Sequence, residues 1–178
     1  MKNFSHFAMQ TSAQNIILTT DDIRKKLERI AYEIYENNYN ETIVHLIGIT
    51  NVGLELAERL QSILQQIAPF EVSVNSIFLD KKLPHTTKIA FKRAVKKLDN
   101  QVVILVDDVC NSGRTLCYAI KPLLKNLPSK IEIAVLVNRQ YKSFPIIPKY
   151  VGLQVSTTLQ NYVRVELDAK GEDAVYLA

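Results

Sequence analysis

Two adjacent carboxylates, Asp107 and Asp108, follow a run of five apolar residues that ends at Val106. Neighbouring carboxylates repel each other unless a cation or a hydrogen-bond donor lies beside them. The vicinal hydroxyls of a ribose can donate to such a pair, and a hydrated Mg²⁺ can approach it. The pair therefore predicts a site for a sugar diol, a divalent cation, or both.

The residues that follow the carboxylates are suited to binding an anion. Asn111, Ser112 and Gly113 permit a tight turn, and we expect a helix to begin at Arg114 or Thr115. The start of a helix presents backbone N–H groups, and its dipole favours negative charge. With the hydroxyls of Ser112 and Thr115, these groups predict a phosphate site beside the diol site. A ribose 5-phosphate has both features.

Other kinds of protein carry related segments. An apolar strand that ends in two acids resembles the Walker B strand of nucleotide hydrolases, but the chain has no GxxxxGK[ST] segment. Receiver domains carry paired aspartates after their first strand, whereas Asp107 lies beyond the middle of this chain. An acidic loop that only precedes a capped helix, without any ligand, stays open as the simplest alternative.

Strands and helices alternate along the chain, and they must position this site. Apolar residues recur at helical spacing after Thr20, and nearly continuous apolar runs indicate buried strands. This order predicts an α/β fold, a three-layer sandwich in which helices cover both faces of a mostly parallel central sheet. Ligands of such sheets bind beyond the carboxyl ends of the strands. The expected helices are 21–34, 53–67 and 114–126, and the expected strands are 43–49, 70–79, 102–106, 131–137, 150–156, 162–167 and 174–177.

Length and composition are those of an ordinary globular protein. The 178 residues are 47% hydrophobic and 22% charged, which suits one domain over 1–178. Residues 1–18 lack the apolar core of a secretory signal and are expected to form a flexible arm. No apolar run approaches the length of a membrane span, so no membrane partner is expected. Cys110 and Cys117 lack the spacing of a disulfide framework, which favours a reducing cytoplasm.

Positive charge is concentrated in one segment of the chain. The net charge is +4, and seven basic residues but no acidic one lie between Lys81 and Lys97. This segment is either a solvated face or a surface that meets an anion, such as a phosphorylated small molecule or nucleic acid.

Three quoted segments resemble the type I phosphoribosyltransferases. "VVILVDDVCNSGRT" resembles the motif of that family that binds phosphoribosyl pyrophosphate (PRPP). "IVHLIGITNVGLELAERL" is similar to its pyrophosphate loop with the flanking strand and helix, and "IAVLVNRQYKSFPIIPKYVG" to the segment of its base pocket. The resemblance covers about residues 16–178 and is strongest to the pyrimidine-regulatory branch, bifunctional proteins that transfer ribose phosphate to uracil and bind RNA.

The resemblance implies a role for each matching residue. Asp107 and Asp108 would hold the ribose hydroxyls of PRPP and, through water, Mg²⁺, while Lys81 and Lys82 would neutralise the leaving pyrophosphate. The family also implies a β-rich C-terminal hood, a mobile flap after Asp80 and a homodimer or higher oligomer. The resemblance assigns the 5-phosphate site to Asn111, Ser112, Gly113, Arg114 and Thr115. It assigns the pyrophosphate loop, with a non-proline cis peptide, to Thr50, Asn51, Val52 and Gly53. It assigns the base pocket to Asn138 and Arg139.

The sequence departs from the pyrimidine-regulatory pattern at two places that affect function. Thr50–Gly53 carries no basic side chain, which predicts weaker binding of PRPP, and Asn138 stands where that branch has an aspartate. The resemblance to this branch still favours uracil as the acceptor. Purine-using relatives often have an acid at the position of Asn111, which cannot titrate, and this weighs against a purine. The alternative is a non-catalytic regulator that senses PRPP or a nucleotide and binds RNA or a protein partner. A mixed-charge helix face could contact RNA phosphates or simply be solvated, and its basic residues are Arg24, Lys25, Lys26 and Arg29.

Overall fold

A computed structural model of the chain describes residues 15–86, 89–94, 98–156, 162–168 and 172–177. The helices are α1 (Thr20–Asn38), α2 (Thr50–Ile67) and α3 (Arg114–Ile120), followed by a 3₁₀ turn at Leu123–Lys125. The strands are β1 (Asn15–Leu18), β2 (Ile43–Ile49), β3 (Glu71–Phe78), β4 (Ala90–Phe91), β5 (Val102–Cys110), β6 (Lys130–Arg139), β7 (Tyr150–Val155), β8 (Val163–Glu166) and β9 (Ala174–Leu177).

Six strands form the central sheet, in the order β4-β3-β2-β5-β6-β7. Every neighbouring pair is parallel except the short β4, which runs antiparallel to β3. The central strands β2 and β5 contain nearly continuous apolar runs because both faces of a parallel sheet are covered. The predicted α/β fold with a mostly parallel sheet is confirmed.

Alternate residues of β5 pack into two separate hydrophobic clusters, one on each face of the sheet. Val102, Ile104 and Val106 pack into the cluster that includes α1 and α2. Val103 and Leu105 pack into the opposite cluster, which includes α3. Side chains alternate across a strand, so one strand joins both helical layers. The chain is therefore a three-layer sandwich, as the alternation of strands and helices predicted.

Helix α1 is stabilised by a capping box at its N-terminus and by an apolar stripe that packs into the core. The Thr19 hydroxyl accepts a hydrogen bond from the Asp22 N–H, and the Asp22 carboxylate accepts one from the Thr19 N–H. Four apolar residues that recur at helical spacing in α1 are buried, and each contributes roughly 1.5–3 kcal/mol relative to exposure. They are Ile23, Leu27, Ile30 and Ile34.

A second, three-stranded antiparallel sheet has the order β1-β9-β8. Its strand β1 corrects the prediction that residues 1–18 form an arm, because Asn15–Leu18 pairs with β9 and Leu18 is 4% exposed. Residues 1–14 lie outside the described residues. Arg59 of α2 pairs through two nitrogens with the buried Asp173 carboxylate, which ties this sheet to the main core. Its role as a hood stays a prediction.

Several element boundaries differ from the sequence prediction. Strand β5 continues to Cys110, so the paired acids lie on the strand and not after it. Helix α2 begins at Thr50 instead of Gly53. Helix α3 ends at Ile120 instead of residue 126, because Pro122 has no N–H to continue the helix, and Leu127 is 78% exposed.

The segment after β3 contains turns and the short strand β4. The lysines at 88, 96 and 97, part of the predicted basic segment, lie outside the described residues, so the flap stays a prediction. Within the ranges that the structure describes, no helix is both long and apolar enough to cross a membrane.

Candidate active site

A cavity of about 260 Å³ lies at the carboxyl end of β5. Val163, the first residue of β8, and the preceding Tyr162 contribute to its wall, and neither residue was predicted to belong to the site. The structure brings together the paired acids, one of the two predicted lysines and all five residues of the predicted 5-phosphate site, Asn111–Thr115, called the phosphate turn below. Those residues are Lys81, Asp107, Asp108, Asn111, Ser112, Gly113, Arg114 and Thr115.

The Lys81 ammonium lies between the two carboxylates. Its Nζ is 2.9 Å from Asp107 Oδ1 and 2.9 Å from Asp108 Oδ1. A local turn aims the lysine, because Asp80 Oδ1 accepts hydrogen bonds from the N–H groups of Lys82 and Leu83. Lys81 is therefore the counter-ion that offsets the repulsion between the Asp107 and Asp108 carboxylates.

Burial and mutual contact shift the pKa values of these three groups. Burial raises the pKa of the Asp107 carboxyl well above its ordinary value, and the Asp108 charge raises it further. Burial also disfavours the charge on Asp108, but its hydrogen bond with Asp107 and the charge of Lys81 outweigh burial and lower the pKa of Asp108. The Lys81 pKa is raised, since the carboxylates outweigh the burial that disfavours its ammonium. A positive group therefore persists beside the acids at neutral pH.

The acid pair also suits a hydrated divalent cation. Proteins hold Mg²⁺ through one or two carboxylates, with waters and substrate phosphates completing its shell. Asp107 and Asp108 supply those carboxylates, and the Lys81 ammonium between them shows that a cation fits there. The described part of the chain contains no group of three or more His, Cys, Asp or Glu side chains that could hold a metal ion together. A bound Mg²⁺ would therefore need oxygens from the ligand as well.

The turn beyond the acids depends on Gly113. Its φ is +83°, a left-handed conformation that strains residues with a side chain. A Cβ there would also lie 2.9 Å from Ile146 Cβ. The Ser112 Oγ accepts from the Arg114 N–H at 3.4 Å. The predicted tight turn is present, and Arg114 begins the following helix.

The predicted pyrophosphate loop has a different form from the one expected. Thr50–Gly53 is the first turn of α2, and within the described residues no peptide bond is cis. Thr50 instead has φ of +60°. Gly53 allows the helix to pack against β5, since a Cβ there would be 2.5 Å from the Val106 carbonyl oxygen. None of the four residues lines the cavity described above, although Gly53 lies next to Asp107.

The predicted base-pocket residues lie at the end of the neighbouring strand β6. Arg139 Nη1 donates to Asn111 Oδ1 at 3.1 Å, and this hydrogen bond links the end of β6 to the phosphate turn. Asn138 Nδ2 donates to Gln154 Oε1 at 2.9 Å. Lys82 is exposed and does not line the cavity, so the structure favours Lys81 of the two predicted lysines.

Lys142 is a residue that sequence reasoning missed. Its Nζ donates to Asn138 Oδ1, to the Asn111 carbonyl and to the Cys110 carbonyl, at 2.6, 2.9 and 3.0 Å. It also lies 3.1 Å from the Cys110 Sγ. No spacing in the sequence marks a single lysine in an irregular segment, because its partners come from two strand ends.

Comparison with known proteins agrees with this geometry. The family described as phosphoribosyl transferase domain matches residues 13–169. The chain belongs to the type I phosphoribosyltransferases, a family of glycosyltransferase enzymes. The family predicted from the three motifs is therefore confirmed.

The similar curated proteins carry the name bifunctional protein PyrR. The protein of that name from Deinococcus radiodurans is 34% identical over 175 residues, covering 94% of this chain and 96% of the relative. Bifunctional protein PyrR 1 of Lactiplantibacillus plantarum is 36% identical over 163 residues, covering 86% of this chain and 91% of the relative. The predicted likeness to the pyrimidine-regulatory branch is thus confirmed.

Solved structures share the fold. The crystal structure of the Trypanosoma cruzi hypoxanthine phosphoribosyltransferase has a TM-score of 0.75 and 16% identity, and the match covers 92% of this chain and 96% of that chain. A hypoxanthine-guanine phosphoribosyltransferase of Bacillus anthracis has a TM-score of 0.65 and 17% identity, covering 80% and 82% of the two chains.

Proposed function

We propose that the protein transfers ribose 5-phosphate from PRPP to uracil, with Mg²⁺ as cofactor and release of pyrophosphate. The observation that carries this proposal is the cavity that combines Asp107 and Asp108 with the turn of Asn111–Thr115. Hydroxyl groups of the ribose satisfy the carboxylates, and the turn receives the 5-phosphate. The two sites adjoin on one chain segment, as they do on the substrate.

In this mechanism the bond between the anomeric carbon and pyrophosphate breaks, and a bond from that carbon to a ring nitrogen of uracil forms. The proton on that nitrogen passes to solvent. Mg²⁺ supplies charge neutralisation for the pyrophosphate when it is bound. Lys81 leaves the carboxylates as the ribose hydroxyls arrive and remains near enough to face the departing anion. Orientation and electrostatic stabilisation contribute most of the rate.

Asn138 is the residue that we assign to recognition of the base. Its carboxamide is held on both sides, by Lys142 at Oδ1 and by Gln154 at Nδ2. A fixed amide still offers one N–H and one lone pair, which matches the alternating carbonyl and N–H edge of a pyrimidine such as uracil. Arg139 acts beside it by holding the Asn111 side chain.

Product formation tests the proposal directly. We expect UMP when the protein is incubated with PRPP, MgCl₂ and uracil, and less product from hypoxanthine, guanine or other bases in a panel. The double variant Asp107→Asn with Asp108→Asn is the matched control and should give none. Folded protein that forms no nucleotide from any base would contradict the catalytic proposal.

A non-catalytic regulator is the second candidate, and the Thr50–Gly53 segment favours it. That segment has no basic side chain and forms part of α2 outside the cavity. A thermal shift with PRPP or UMP but no turnover would support this candidate. RNA binding is less favoured, because Arg24 pairs with Asp21 and Glu28, and Arg29 pairs with Glu33. RNA binding that weakens steeply with salt would restore it.

Location and assembly complete the proposal. Both cysteines are free thiols, Cys110 buried and Cys117 partly buried, which suits a reducing cytoplasm. We also propose a homodimer or higher oligomer. Sedimentation equilibrium of the full chain tests the assembly, and a monomer at micromolar concentration would contradict it.

A further inference from the structure

Lys142 has the most hydrogen-bond acceptors around one ammonium in the described part of the chain. Besides its bonds to the Cys110 and Asn111 carbonyls and to Asn138 Oδ1, it donates to the Arg139 carbonyl at 2.6 Å. An ammonium has three donor hydrogens, so these oxygens use all of them. Lys142 therefore has no donor left for a substrate, and it is not among the described residues that line the cavity.

The carbonyls that Lys142 holds belong to the start of the phosphate turn. In a trans peptide unit the C=O of one residue and the N–H of the next point in opposite directions. Drawing the Cys110 and Asn111 carbonyls toward Lys142 therefore turns the N–H groups of Asn111 and Ser112 away from it. Asn111 and Ser112 line the cavity, whereas Lys142 does not.

The two residues after Lys142 hold the carbonyl of one more peptide unit of the phosphate turn. The Ser112 carbonyl accepts hydrogen bonds from the N–H groups of Ser143 and Phe144, at 3.1 and 3.0 Å. This contact turns the Gly113 N–H away from the 142–144 segment. Three successive peptide units of the turn are thus held by their carbonyls, which directs their N–H groups away from Lys142, Ser143 and Phe144.

We propose that Lys142 is a positioning residue for the 5-phosphate site, and this inference rests on the proposed function. It orients the peptide units of the turn so that their N–H groups face the phosphate, and its positive charge polarises those units toward the anion. The same ammonium fixes Asn138 Oδ1. One side chain thereby couples the phosphate turn to the residue assigned to the base.

Binding of ribose 5-phosphate tests this proposal without requiring turnover. For Lys142→Met we expect the Kd of ribose 5-phosphate, measured by calorimetry, to rise by about tenfold to a hundredfold, the size of effect typical for losing a charged hydrogen-bond partner. Lys149→Met is the matched control, because Lys149 lies on the same connection and contacts Glu132 instead. Its Kd should stay within about twofold of the wild type. An equal Kd for Lys142→Met and wild type, with both folded, would overturn the proposal.

A second measurement keeps the test decisive if Lys142→Met fails to fold. In the wild-type protein, titration with ribose 5-phosphate should move the amide proton resonances of Ser112 and Gly113 downfield, as hydrogen bonds to phosphate form. Unmoved resonances at saturation would overturn the proposal. Wild-type protein that binds ribose 5-phosphate through these amides but forms no nucleotide would refute the catalytic function while supporting the orientation of the turn that Lys142 is proposed to hold. Absence of any binding by the folded wild type would overturn both.

Discussion

Replacing Lys81 by methionine tests whether its ammonium is the counter-ion of the paired acids. The change keeps much of the side-chain volume but removes two 2.9 Å hydrogen bonds, to Asp107 and Asp108. Removing one member of a fully buried ion pair costs about 3–5 kcal/mol. Because the Lys81 side chain is 38% exposed, water screens the pair, and we expect the free energy of unfolding to fall by about 1–3 kcal/mol.

Urea denaturation with and without MgCl₂ measures this effect and its cause. A cation that binds only the folded protein stabilises it in proportion to the logarithm of its concentration over its Kd. In Lys81→Met the carboxylates have lost their own cation, so Mg²⁺ should bind more tightly than in the wild type. Millimolar MgCl₂ should therefore restore part of the lost stability, and it should stabilise the wild type less.

Lys82→Met is the control for Lys81→Met, because Lys82 is the adjacent lysine and is exposed. Its free energy of unfolding should change by less than about 0.5 kcal/mol. The counter-ion argument is refuted if Lys81→Met is as stable as the wild type. It is also refuted if MgCl₂ stabilises both proteins equally.

Three further predictions concern the acids, the turn and a buried histidine. Asp107→Asn with Asp108→Asn should weaken PRPP binding at least about tenfold while the free energy of unfolding changes by less than about 2 kcal/mol; global unfolding would show that the acids are structural. Gly113→Ala should cost about 1–2 kcal/mol from its positive φ and abolish ribose 5-phosphate binding in calorimetry, and unchanged affinity would contradict the turn assignment. Burial lowers the pKa of His45 below 6.5, so its contribution to stability is present above about pH 6.5 and is lost as the pH falls. His45→Gln should therefore lose less stability than the wild type between about pH 7.5 and about pH 5.5, and equal losses in urea denaturation would contradict this.

The elements with strong local periodicity could be predicted from the sequence. Helix α1 and strand β2 match the expected residues closely, because an apolar stripe or run needs no knowledge of its partner. Strand β1 could not be predicted in this way, since it exists only through pairing with β9 at the far end of the chain. Its short sequence, Asn15–Leu18, carries no signal of its own.

The candidate site divides in the same way. Asp107, Asp108 and the turn after them are contiguous, so their chemistry could be predicted from residue types and spacing. The form of Thr50–Gly53 could not, because it depends on how closely α2 approaches the sheet at Gly48 and Gly53. Lys142 lies far from the PRPP motif in the sequence, and only the parallel pairing of β5 with β6 brings its partners together.

Lys81 and Lys142 differ in whether a substrate can replace them as hydrogen-bond donors to their partners. The partners of Lys81 are carboxylates, and ribose hydroxyls or a hydrated divalent cation can satisfy those acceptors equally well. Ligand binding can therefore exchange one donor for another and release Lys81 toward the pyrophosphate. The partners of Lys142 are mainly backbone carbonyls, and a phosphate anion has no donor that could satisfy them. A phosphate that binds the N–H groups of the turn therefore cannot replace Lys142, and we expect Lys142 to stay in place while a ligand is bound.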